Sequence, residues 1–184
     1  MLKANPPIIS SITGLYPSEF VSSMKNNNIK WFATVTTVSE AIEAENAGAN
    51  AIVAQGMEAG GHRGSFIAEN ASENMVGLFS LLPAVVDAVK IPVIAAGGIA
   101  DGRGIAASFL LGASAVQMGT CFFRSPEAKI PRVWAEKLDS TYPEDTITTR
   151  AFSGRLGRSL RTKYALEASS LKAPSPAQYQ YKDI

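Results

Sequence analysis

The chain has 184 residues, 46% of them hydrophobic and 18% charged, with a net charge of +1. That length and composition suit a globular chain with a substantial core and exclude a disordered one. The near-neutral charge offers no field for a nucleic acid or an anionic membrane. The lone Cys121 excludes an intrachain disulfide, and one histidine with one cysteine cannot build a zinc or iron–sulfur set, so no metal is expected.

The run 7–12 (PIISSI) predicts a strand that turns at Thr13-Gly14. Ser18 opens a short amphipathic helix that ends in Asn26, Asn27 and Asn28. A second strand follows over 31–36. Thr37 and Glu40 are spaced as a capping box for a helix over 38–47, closed by Gly48. The apolar run 51–55 predicts a third strand. A long glycine-bearing loop leads from it to a helix over 81–89 whose first turn contains Pro83. Strands at 92–96 and 115–118 flank a small-residue helix over 102–111.

Apolar positions Ile9, Phe32, Ile52, Val93 and Val116 recur about every 20 to 23 residues, and at nearly double that interval across the glycine loop. Connections of that length imply crossovers and a parallel sheet, so the fold class is α/β. After Thr120 the pattern changes. A helix is expected over 131–138, then a turn at 142–145, then a basic segment from Arg150 to Lys163. The domain is expected to span 1–170, with an extended or disordered tail over 171–184. The N-terminus lacks the apolar region of a signal peptide and no run is long enough to span a bilayer, so no membrane and a cytoplasmic location are expected.

The chemistry gathers in 51–66, AIVAQGMEAGGHRGSF. Ligands of α/β sheets bind at the carboxyl ends of the strands, and here a glycine loop at such an end carries His62, the sole histidine. Imidazole exchanges a proton near neutrality, so an exposed, well-held His62 suits proton abstraction. Three roles stay open for Glu58: orienting His62, serving the backbone, or neither. Gly97-Gly98 and Gly119-Thr120 end two successive strands, each before helical material. Their backbone N–H groups, aided by the following helix N-terminus, would make an anion site of the phosphate-binding kind. Cys121 has no identifiable base beside it, and the basic segment reads as an anion grip or a solvated face.

The segments 53–64 (VAQGMEAGGHRG), 91–99 (IPVIAAGGI), 116–120 (VQMGT), 150–155 (RAFSGR) and 174–177 (PSPA) resemble the nitronate monooxygenase family. The resemblance implies an FMN-dependent TIM-barrel enzyme that oxidises alkyl nitronates, notably propionate 3-nitronate, with O2. It places His62 on the catalytic histidine and Gln55, Gly60, Gly61, Gly97, Gly98, Gln117, Met118, Gly119 and Thr120 at the FMN. The partners it implies are a nitronate or nitroalkane and O2, with no nucleic acid. The family's barrel has eight strands and this sequence supplies what correspond to the last five, so a partial barrel is expected. Its open edges would admit self-association or a complementing segment. An FMN-dependent enoyl-acyl-carrier-protein reductase, which shares a Gly-Gly-His loop, is the nearest alternative. A catalytically silent fragment that binds phosphate or partners is the other.

Overall fold

The computed structural model describes residues 2–170. The tail expected over 171–184, and with it the segment 174–177, lies outside the described residues. Among the described residues eight strands follow one another: β1 (Ile8–Ser11), β2 (Lys30–Val35), β3 (Ala51–Gln55), β4 (Gly61–His62), β5 (Val93–Ala96), β6 (Ala115–Gln117), β7 (Thr146–Thr149) and β8 (Gly157–Leu160). The α-helices are α1 (Ser18–Asn26), α2 (Val38–Asn46), α3 (Leu78–Ala88), α4 (Gly102–Leu110), α5 (Arg132–Asp139) and α6 (Lys163–Ala168). They fall into two compact units, 2–59 with 64–118 and 60–63 with 119–170.

The first unit is a five-stranded parallel sheet in the order β1-β2-β3-β5-β6 with helices α1 to α4. Strands that neighbour in this sheet also follow one another within it along the chain. That is the winding of a β/α barrel, as the family resemblance implies, rather than of a doubly wound sheet. Burial follows position. Every residue of central β3 is buried, edge strand β1 alternates exposed and buried, and β6 at the other edge is at most half-buried. The expected row of apolar positions is partly out of register: Ile52 does face Val93, but Ile9 faces Trp31, not Phe32.

The core is apolar and continuous. Leu78, Leu81, Leu82 and Val85 of α3 have the spacing of one helix face, and all four are buried. Buried Trp31 donates its indole N–H to Ser11 Oγ at 3.0 Å, which satisfies the one polar atom it carries inward.

One helix start and one helix cap differ from expectation. Helix α3 begins a turn earlier than the sequence suggests, so Pro83 lies inside it rather than in its first turn. The cause is remote: both Glu58 carboxylate oxygens accept from Leu78 N at 3.0 Å and supply a cap 20 residues away in the chain. At α2 the capping box is half made. The Thr37 hydroxyl accepts from Glu40 N at 3.2 Å, but the Glu40 carboxylate turns inward to Thr36, Ser65 and Phe66.

The second unit contains a sheet that the sequence reading missed, β4-β8-β7, antiparallel throughout. The basic segment read as a charge run is largely this hairpin. Arg158 donates to Thr146 Oγ1 at 2.8 Å and Arg161 to the Thr146 carbonyl at 3.5 Å, so these guanidiniums brace β7 against β8. Helices α5 and α6 complete the unit. Among the described residues, no helix is long and apolar enough to cross a membrane.

Candidate functional site

In the first unit the register aligns Gln55, Ala96 and Gln117 in one row across β3, β5 and β6, at their carboxyl ends. Gly97 and Gly98 follow directly on β5, and Met118 follows on β6. The structure thus brings together five of the residues expected at a cofactor: Gln55, Gly97, Gly98, Gln117 and Met118. Gln55 is buried, and its Oε1 accepts from Gly64 N at 2.8 Å. Its carbonyl end therefore holds the loop's return limb, a role the sequence did not suggest.

The two glycine pairs are not alike. Gly97 and Gly98 take φ of 114° and 69°, the left-handed region that favours glycine, and a Cβ on Gly97 would stand 3.0 Å from Ala59 N. Gly98 is exposed, and a Cβ on it would stand 3.2 Å from Glu58 Cβ. Gly119 has an ordinary φ of −109° and open space where a Cβ would be. The unit-one turn therefore fits a phosphate better by conformation than the Gly119 segment does.

The helix after Gly97-Gly98 adds less than expected. Asp101 already occupies the N-terminus of α4, accepting from Arg103 N at 2.9 Å and Gly104 N at 3.5 Å. An anion at the turn would rely on the Gly97-Gly98 backbone, because the carboxylate takes up the helix-end N–H groups. Hydrogen bonds from the Arg103 side chain and then its backbone hold the Asp101 carboxyl down at about 2. A value lowered on folding contributes stability above the unfolded value, near 3.8, and that stability is lost as pH falls through about 2. An acid titration followed by circular dichroism is expected to show a loss of helical signal in that window for the wild type and a smaller loss for Asp101→Asn. Superimposable titrations would contradict the capping role.

In the second unit, Gly60 and Thr120 adjoin: a Cβ on Gly60 would lie 2.8 Å from Thr120 Oγ1. Gly61 takes φ of 82° and His62 follows it on β4. His62 is exposed, and its Nε2 lies 2.5 Å from Ser153 Oγ. Arg63 is buried, and its N–H donates to the Leu156 carbonyl at 2.8 Å, fixing the residue after the histidine. Ser153 sits in the tight turn between β7 and β8, where Gly154 N returns to the Arg150 carbonyl at 2.9 Å and Gly154 takes φ of 78°. Sequence reasoning noted the segment 150–155 but gave Ser153 no role, because its partner is 91 residues away in the chain.

Of the three roles left open for Glu58, the geometry shows service to the backbone, through the Leu78 N–H. Cys121 is exposed in a 3-10 turn, Thr120–Arg124.

The nitronate monooxygenase family model matches residues 1–183. A probable nitronate monooxygenase from Staphylococcus aureus (strain Newman) is 44% identical over 176 residues, which cover 96% of this chain and 50% of that protein. The solved structure of nitroalkane oxidase from Streptomyces ansochromogenes is similar with a TM-score of 0.87 and 39% identity, over 97% of this chain and 51% of its own. FabK from Thermotoga maritima is similar with a TM-score of 0.77 and 42% identity, over 90% and 50% respectively. The chain spans about half the length of the curated relatives it matches.

Proposed function

The chain belongs to the nitronate monooxygenase family, and from that premise we propose that it serves the FMN-dependent oxidation of alkyl nitronates of the propionate 3-nitronate kind by O2. The observation that carries the reading is the exposed imidazole of His62, fixed by Ser153 at one ring nitrogen and by the β4–β8 pairing at its backbone.

The contact with Ser153 holds the ring at Nε2, and the serine hydroxyl accepts or donates there according to the tautomer. In the tautomer whose Nε2–H donates to Ser153 Oγ, the basic lone pair lies on Nδ1, and it is this form that takes the α-proton of a neutral nitroalkane. Ser153 keeps the same hydrogen bond once the ring is an imidazolium, so the proton moves without a change of partner. A substrate that arrives as the nitronate has already lost that proton, and the imidazolium then serves to hold its charge.

The Gly97-Gly98 turn fits the phosphate of FMN, with Gln55, Gln117 and Met118 as further contacts. Gly60, Gly61, Gly119 and Thr120 join them on the family resemblance. When bound, FMN supplies the redox chemistry. No membrane role is proposed, and the cytoplasm is the proposed location. The outer edges of β1 and β6 have no strand partner among the described residues, and we read them as where a second copy or a complementing segment would extend the sheet.

The likeness to FabK favours a second reading, an FMN-dependent enoyl-acyl-carrier-protein reductase. The FMN-loaded chain discriminates the two readings. O2 uptake with nitrite release from propionate 3-nitronate supports the first. NAD(P)H oxidation that depends on an enoyl thioester supports the second. Neither activity, with association that rises with concentration, supports a silent binding fragment.

A further inference from the structure

We propose that Gly157 is the positioning residue of His62, because its missing side chain lets β8 hold the histidine's backbone closer than any L-residue could. The inference rests on the reading of His62 as the proton acceptor. On β8, Gly157 faces His62 across the antiparallel ladder, and Arg158 faces Gly61. A Cβ built on Gly157 would lie 2.9 Å from the Gly61 carbonyl oxygen, 3.2 Å from the Gly61 carbonyl carbon and 3.3 Å from His62 Cα. All three are backbone atoms of β4, so none can swing aside as the end of a side chain would.

The demand is for space and not for conformation, since Gly157 is not among the glycines of positive φ. Alanine there would act by contact alone. Of the two strands flanking Gly157, β4 is the one that must give. Strand β8 pairs with four-residue β7 on its other side, Thr149 opposite Gly157, while β4 has only two residues. The clash is with β4 directly. A displacement of a few tenths of an ångström relieves it, and the same displacement moves His62 relative to Ser153 in the turn that enters β8. A glycine far from His62 in sequence thereby sets the geometry of the hydrogen bond that holds the ring.

His62 is the only histidine, so the imidazole ¹⁵N signals of the histidine-labelled chain report its state without assignment and without turnover. In Gly157→Ala these signals are expected to shift, with a changed tautomer balance, and kcat for a neutral nitroalkane is expected to fall by about tenfold or more. In Gly102→Ala, whose Cβ would meet nothing within 4 Å, the signals are expected to stay at their wild-type positions. Wild-type imidazole signals in Gly157→Ala overturn the proposal. So does loss of the cooperative unfolding transition in that variant, since Gly157 would then carry the fold and not the histidine. Shifted signals with unaltered nitroalkane turnover uphold the positioning and instead remove His62 from the chemistry.

Discussion

Replacement of His62 by alanine is expected to lower kcat for a neutral nitroalkane by about 10²–10⁴-fold, the usual contribution of a positioned general base. The α-carbon of a nitroalkane must lose a proton before oxidation, and His62 is the residue proposed to take it. A preformed nitronate has already lost that proton, so its turnover is expected to fall far less, by about tenfold or under. The difference between the two substrates is the informative quantity. Equal losses on both would make the imidazole a charge partner rather than a base. Unaltered nitroalkane turnover in His62→Ala, with flavin still bound, would remove it from the mechanism.

The largest loss of stability is expected from Glu40→Ala. The Glu40 carboxylate is buried and accepts from Thr36 N at 2.6 Å, Thr36 Oγ1 at 2.8 Å, Phe66 N at 2.8 Å and Ser65 Oγ at 3.4 Å. It ties the end of β2 to the return limb of the glycine loop. Alanine leaves two backbone N–H groups without their acceptor, Thr36 N buried and Phe66 N part-buried, and each orphaned donor costs about 1–3 kcal/mol. With the hydroxyl bonds added, the total loss is about 3–5 kcal/mol. Urea unfolding should show a lower midpoint with an unchanged slope. Glu40→Gln should fall between the two, since an amide offers one acceptor oxygen and turns an NH₂ toward the remaining donors. A loss under about 1 kcal/mol in Glu40→Ala would mean that water replaces the carboxylate, and the loop would not depend on it.

The parallel sheet was legible because its strands are apolar runs with no competing signal. A segment such as Ala51–Gln55, buried at every position, has little alternative to a central strand. His62 stood out as a candidate because its glycine flanks pointed to an exposed imidazole, and the structure does expose it. What escaped depended on partners remote in sequence. The start of α3 is set by Glu58, 20 residues before it. Glu40 matches a capping box by spacing but is drawn away by Ser65 and Phe66, which the spacing cannot see. Strand β4 has two residues and exists only because β8 runs beside it, so no local pattern could announce it. In the basic segment the arginines masked a β-branched signal at its edge, Thr146–Thr149, which could have marked β7. The Ser153 contact with His62 arises from that same unseen hairpin.

The most direct measurement is the visible absorption spectrum of the 184-residue chain after FMN is added and the excess removed. The expected result is a retained flavin band that bleaches under anaerobic propionate 3-nitronate and returns when air is admitted. A folded chain that retains no flavin, or a retained band that the nitronate leaves unbleached, would contradict it.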